Sequence, residues 1–335
     1  MSEEFIWRDA GRTVVFRRHG VDAAASILAE HDFAPFELFG SERGLADAAE
    51  LTGAAAAVHM VAPGAVPDLA AALLDKVAAP RLVALGGGRP VDVAKAIASV
   101  SGARVAAIPT TMSGAEMTGI HRLPAGAEGR VQGLVRPALV IADPEAMTSQ
   151  PEARLRASSM NALAHGVDSI YTPFANPVSR MAALRGAELI AGALDQPPAV
   201  RNAATLALGS ILCGYAIDSG MFGIHHVICQ TLVRVCGCAH AETNAAILPR
   251  AMAFLVARAP ETMADAVAAI GADPEDVEAR VLELGGSPSG LAAAGADRGK
   301  LDEAIEAIFQ RPELAFVPGP PVIRAEVEEL IETAW

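Results

Sequence analysis

Up to about residue 145, short β-branched or apolar runs alternate with alanine-rich stretches whose apolar residues recur at helical spacing. That alternation is the pattern of a mostly parallel sheet covered by helices. It predicts strands at 13–17, 36–39, 57–61, 81–85, 104–108 and 138–142, with helices at 21–30, 44–51, 66–76 and 90–99 between them. The Gly- and Pro-rich stretch 121–135 predicts a hairpin or flap. After Asp143-Pro144 the pattern changes: from Pro151 to Trp335 apolar residues keep the helical period and strand-like alternation largely disappears. The expected architecture is α/β plus all-α. A Rossmann-like, mostly parallel sheet domain over 1–150 precedes an all-helical domain over 151–335, the two packed around a shared cleft. Gly-Ser-Pro-Ser-Gly at 286–290 and Pro-Gly-Pro-Pro at 318–321 mark turns between late helices.

At 335 residues, two domains fit better than one core. The 39 acidic residues against 26 basic ones give a net charge of -13, a field that repels nucleic acid and anionic membranes. No run of eighteen uninterrupted apolar residues occurs, so no transmembrane helix is expected. The opening MSEEFIWRDAGR lacks the basic-then-apolar order of a secretory signal, which points to the cytoplasm. Cys213, Cys229, Cys236 and Cys238 are too few for a disulfide scaffold and read as reduced, buried residues.

Two loops carry candidate cofactor chemistry. Leu85-Gly86-Gly87-Gly88-Arg89-Pro90-Val91-Asp92 follows a strand and opens a helix, and its glycines let the backbone approach a diphosphate at a helix start. Directly after the next strand comes Thr110-Thr111-Met112-Ser113-Gly114. Ligands of open α/β sheets sit outside the carboxyl ends of strands, so the two loops should converge on one cofactor. Neither matches GxGxxG or the P-loop, so a dehydrogenase of another lineage is favoured over a nucleoside triphosphate enzyme.

The helical half carries the histidines. Asn161 and His165 lie one helical turn apart on one face, His225 and His226 fall on another helix, and His240 follows in Cys238-Ala239-His240. Convergent imidazoles would hold a divalent metal that polarises a carbonyl, or would themselves donate hydrogen bonds and a proton to an alkoxide. Spacing alone leaves both open.

These motifs resemble the iron-containing alcohol dehydrogenases, whose markers are GGGSxxDxAK, IPTTxxSGSExT, D-x3-H and two later histidines fourteen apart. Here they stand as GGGRPVDVAK, IPTTMSGAEMT, Asn161-x3-His165, and His226 with His240. Within that superfamily, NALAHGVDSIYTPFANP, GIHH and CAHAETNAAILP are similar to the maleylacetate reductases, which reduce maleylacetate to 3-oxoadipate with NADH or NADPH, many without a metal. The resemblance implies an NAD(P)-dependent oxidoreductase, working as a homodimer on an oxo-acid, aldehyde or alcohol. Gly86, Gly87, Gly88, Arg89, Asp92, Thr110, Thr111 and Ser113 would hold the cofactor. Asn161, His165, His225, His226 and His240 would form the catalytic group. A divalent metal, iron or zinc, would take His165, His226 and His240, but is disfavoured because Asn161 replaces the anionic aspartate ligand.

Several departures bear on substrate. Gln230 stands where another histidine is usual, and glutamine cannot relay a proton. Arg234 adds charge nearby, and Arg130 takes the place of a flap lysine. Arg130, Gln230 and Arg234 are therefore candidate substrate-binding residues, the arginines as partners of a carboxylate. Two alternatives follow: a dehydrogenase of natural-product tailoring, including oxidative decarboxylation of a peptide end, and a non-catalytic scaffold or regulatory subunit, motivated by Arg89 in the diphosphate loop. The second strand is followed by Ser41 and Arg43, which would tolerate a 2′-phosphate, while the family resemblance leans to NADH.

Overall fold

The structure is a computed structural model that describes residues 11–286 and 290–335. The chain's opening segment and the middle of the Gly-Ser-Pro-Ser-Gly turn lie outside the described residues. Two compact units divide at Gln150 and Pro151, and each forms its own core.

The first unit carries six parallel strands: β1 (Thr13–Phe16), β2 (Glu37–Gly40), β3 (Ala57–Met60), β4 (Arg81–Gly86), β5 (Arg104–Pro109) and β6 (Leu139–Ala142). They lie in the order β1-β6-β5-β4-β2-β3. Its helices are α1 (Ala24–Glu30), α2 (Glu42–Asp47), α3 (Ala49–Ala54), α4 (Val66–Leu74), α5 (Gly88–Ser101) and α6 (Pro144–Met147). The period of two sorts the strands onto two faces. Leu82, Ala84, Val105 and Ala107 join Val93 and Ile97 of α5 on one side, whereas Val83, Leu85, Ala106 and Ile108 join Ile27 and Leu28 of α1 on the other. Burial on both faces is why the central strands read as continuous apolar runs.

Two sequence expectations are corrected in this unit. The helix expected at 44–51 is two helices, because Ala48 leaves helical geometry at φ -122°, ψ 55°. The stretch 121–135 contains no strand. It is a loop closed on itself, with the Val135 N–H donating to His121 Nε2 at 3.0 Å and a single 3-10 turn at Glu128–Arg130.

The second unit is helical: α7 (Glu152–Ser169), α8 (Pro177–Leu194), α9 (Ala203–Gly220), α10 (Ile224–Cys236), α11 (His240–Arg258), α12 (Pro260–Ala269), α13 (Val277–Leu284), α14 (Leu301–Phe309) and α15 (Arg324–Glu332). α8 and α9 cross with backbone against backbone, since a Cβ at Gly186 would stand 2.8 Å from the Gly209 carbonyl oxygen. By length and composition α9 could span a bilayer, with mean hydropathy 1.2 over 18 residues. Its apolar surface is instead spent on this core: Leu206, Ile211, Cys213, Ala216 and Ile217 are buried. The uninterrupted-run criterion missed it because Thr205, Ser210 and Asp218 break the run.

Together these units are the fold expected from the sequence, a Rossmann-like parallel sheet followed by an all-helical unit.

Candidate active site

The strand order reverses between β4 and β2, which are hydrogen-bonded neighbours although β3 separates them in the chain. In open α/β sheets that switch point is where ligands bind. The Gly86-Gly87-Gly88 turn leaves β4 there. Gly86 has φ +144°, a conformation that side chains rarely adopt, and Gly87 caps α5 with no side-chain hydrogen bond. No acidic residue stands in the first turn of α5, so the helix start is electrostatically favourable to an anion. The adjacent loop closes on it. The Thr110 N–H donates to the Gly86 carbonyl at 3.0 Å, a Cβ at Gly87 would approach Thr111 Cγ2 to 3.0 Å, and one at Gly88 would meet Ser113 Cβ at 3.3 Å. The two glycine- and threonine-rich loops are thus brought together, in a packing so close that a side chain at Gly87 or Gly88 would press on Thr111 or Ser113.

Arg89 is exposed, and Asp92 Oδ1 pairs with Lys95 Nζ at 3.1 Å. That lysine is fully buried and also donates to the carbonyls of Ala115 and Ile120 at 2.9 and 2.7 Å, tying the stretch that follows the Thr110–Ser113 loop to α5. Beside it Glu116 is fully buried with neither carboxylate oxygen hydrogen-bonded. Burial pushes its pKa up to about 7, against the opposing pull of Lys95 and Arg12. After β2, Ser41 is spent capping α2 through the Gly44 N–H, and Arg43 pairs with Asp47. Arg130 is exposed.

The helical unit gathers a polar cluster in an apolar core. Asn161, His165 and Asp168 occupy positions i, i+4 and i+7 of α7, one buried face over two turns. Asp168 was not singled out from the sequence; its seven-residue offset from Asn161 was the available signal. α10 brings His225 and His226, both buried. Its start is fixed by Tyr171, which accepts the Ile224 N–H at 2.8 Å, and Gly223 is required because a Cβ there would overlap the Tyr171 ring.

Hydrogen bonding sets the tautomers. Asp168 Oδ1 accepts from Tyr171 at 2.5 Å, while Oδ2 accepts from the His226 backbone N–H at 3.1 Å and from His226 Nδ1 at 2.8 Å. Burial pushes Asp168 up, but the His226 hydrogen bond and the histidines' charge outweigh it and hold the pKa at about 2. An ionised carboxylate only accepts, so His226 carries its proton on Nδ1 and presents a lone pair at Nε2. That Nε2 is buried without a hydrogen-bond partner. His225 Nε2 faces the Asn244 carbonyl at 3.1 Å and must be the donor there, leaving its unprotonated Nδ1 against the His226 Nδ1–H at 3.3 Å, whose proton goes to Asp168. Burial, then repulsion from His226, pushes His225 down to about 3. With both nitrogens committed, His225 orients His226 and is not placed to move a proton. The His165 ring stacks on His226 with centroids 4.8 Å apart. Burial and the neighbouring histidines hold its pKa well below the ordinary value, so it is neutral.

His240 is exposed in the first turn of α11, at the edge of this cluster, where its charge acts on His165 and His225. Among the described residues, the donors that gather within 4.8 Å of one another are those of Asp168, His225 and His226, not those of His165, His226 and His240. The gathered trio does not fit a resident metal. Its atoms bond to one another, and three N–H or O–H donors aim at Asp168 where a cation would need them gone. His165, His226 and the Asn161 amide, for their part, make a neutral set without the anionic ligand that iron prefers.

Arg234 is exposed in the last turn of α10, where a cation complements the helix dipole. Gln230, one turn after His226, accepts from Arg311 Nη2 at 3.2 Å.

Residues 156–335 match the C-terminal part of the Fe-containing alcohol dehydrogenase family. Maleylacetate reductase 1 of Rhodococcus opacus is 33% identical over 290 residues, spanning 84% of this chain and 79% of that protein. The maleylacetate reductase of Burkholderia cepacia is 34% identical over 268 residues, 76% of this chain and 73% of that one. The crystal structure of maleylacetate reductase from Agrobacterium tumefaciens superposes with a TM-score of 0.86 at 27% identity, covering 100% of this chain and 99% of that chain. The protein is therefore an oxidoreductase belonging to the iron-containing alcohol dehydrogenase family, on its maleylacetate reductase branch.

Proposed function

We propose that the protein reduces an oxo-acid with NADH, in the manner of a maleylacetate reductase and without a resident metal. The observation that carries this reading is the buried Asp168–His226 pair, which leaves one imidazole nitrogen unpartnered and stabilises the imidazolium form when that nitrogen is protonated. Gly86, Gly87, Gly88, Thr110, Thr111 and Ser113 would hold the cofactor diphosphate. When bound, the nicotinamide would supply a hydride to the carbon–carbon double bond conjugated with the ketone, since 3-oxoadipate keeps its ketone. His226 Nε2 would give its proton to the oxygen of the resulting enolate, whose enol reverts to the ketone, and return to the neutral tautomer; in the reverse direction the same lone pair would take the enol proton. His165 and Asn161 line the same face and orient the oxygen, while His225 holds the His226 ring. NADH is preferred because Ser41 and Arg43, the groups that would greet a 2′-phosphate, are engaged within their own helix. All four cysteines are unpaired and buried, which suits a reducing compartment, and we place the enzyme in the cytoplasm.

The test is steady-state reduction of maleylacetate and of simple aldehydes with NADH and NADPH, before and after dialysis against a chelator. Turnover of maleylacetate with NADH that survives chelation is expected. Activity that returns only on adding iron or zinc, or failure of either nucleotide to bind in a fluorescence titration, would overturn the proposal.

A further inference from the structure

Gln230 and His226 stand four residues apart on α10, so they share a face. Packed on that face is Arg311, from the turn after α14. Its Nε and Nη2 donate side-on to the two carboxylate oxygens of Glu313 at 3.0 and 3.1 Å, and Nη2 also reaches Gln230 Oε1 at 3.2 Å. Its guanidinium carbon lies 5.6 Å from the centroid of Phe222, whose ring is 6.2 Å from that of His226. Three of the five N–H groups of Arg311 are thereby used, and those of Nη1 have no hydrogen-bond acceptor among the described residues.

This is a guanidinium fixed in orientation rather than a loose surface arginine. Glu313 grips one edge, Phe222 supports it, and Gln230 supplies a neutral acceptor where a protonated histidine would repel the cation. Fixing the planar group in advance lowers the ordering cost of binding an anion at the remaining edge. Pairing with Glu313 cancels its long-range field, so recognition there depends on short, directional hydrogen bonds and not on general attraction of anions.

We infer that Arg311, held by Gln230 and Glu313, selects carbonyl substrates that bear a carboxylate. The carboxylate binds at Nη1 while the carbonyl faces His226. This rests on the proposed reductase reading and names the substrate feature that the helical unit recognises. The role of Gln230 is then positional: its departure from histidine provides an acceptor for Arg311 and does not replace a proton relay.

The experiment compares 4-oxopent-2-enoate with its methyl ester, which differ in one negative charge, as ligands by calorimetry in the presence of NAD+ and as substrates with NADH. The wild type is expected to favour the acid. Arg311→Gln should lower the acid-to-ester ratio of kcat/KM by about tenfold to a hundredfold, the range of a charge-assisted hydrogen bond, with the change in KM. Arg311→Lys should fall between, since it keeps charge but loses the fork. A parallel loss for acid and ester in both variants would make Arg311 a structural tie and overturn the inference. So would wild-type binding of the acid no tighter than the ester. Tight binding of the acid without turnover of either compound would instead sink the reductase reading and leave the carboxylate anchor standing.

Discussion

Replacing Glu116 with glutamine tests whether a buried, unpartnered carboxyl in the α/β unit sets part of the protein's pH dependence. Its pKa rises from 4.5 to about 7 on folding. Below pH 4.5 both folded and unfolded chains hold the proton. Between 4.5 and 7 only the folded chain holds it, so stability falls as pH rises; above 7 both have lost it and the loss is complete. At 1.36 kcal/mol per pKa unit the full effect is about 3 kcal/mol, with no discount for solvent because the group is fully buried. Glutamine cannot ionise, and any cost of its unpaired amide is the same at every pH. Urea unfolding of both proteins, followed by circular dichroism from pH 4.5 to 7.5, should therefore show the variant gaining on the wild type by about 3 kcal/mol across the window. The comparison must be a difference. His225, whose pKa falls from 6.5 to about 3, makes stability rise with pH over much of the same range in both proteins, and that contribution cancels. A variant-minus-wild-type difference that is flat with pH would refute the reasoning.

Asp168→Asn should turn the amide N–H toward His226 Nδ1 and move the imidazole proton to Nε2. A loss in kcat of about a hundredfold to ten-thousandfold with little change in KM is expected from steady-state kinetics, by analogy with the tautomer effect in serine proteases; an equal rise in KM would contradict it. Gly87→Ala would place a Cβ 3.0 Å from Thr111 Cγ2 and push apart the two loops proposed to hold the diphosphate. NADH affinity measured by fluorescence should fall at least about tenfold, since the loss of a single hydrogen bond to a charged group already reaches that size, and unchanged affinity would remove the cofactor from this turn.

The sheet was legible in the sequence to within a residue at most strand ends, because parallel strands buried on both faces leave unmistakable apolar runs. The loop at 121–135 was less so: its glycines and prolines mark a turn, but only the distant bond from Val135 to His121 shows a closed loop and no ladder. Ala48 gives no sequence sign of the break it makes. In the candidate site, the histidines and glycines declared themselves by residue type and spacing, yet their roles did not. His225 and His226 are indistinguishable as letters, and only the Asn244 carbonyl and the Asp168 carboxylate separate the ring with both nitrogens engaged from the one that keeps a nitrogen unpartnered. Asp168 itself resembled an ordinary polar position in a helix. Arg311 was beyond reach, because its partner Gln230 lies 81 residues earlier and no periodicity connects them.

The apolar character of α9 has a consequence for biosynthesis. A helix with the hydropathy of a bilayer span is a hazard while it is exposed, open to aggregation or to capture by the machinery that inserts membrane segments. Its packing partners α7 and α8 precede it in the chain and leave the ribosome first. When α9 emerges, the surface that covers it has already been made. Moving α9 ahead of α7 by circular permutation, with every native contact still available, would remove that protection during synthesis.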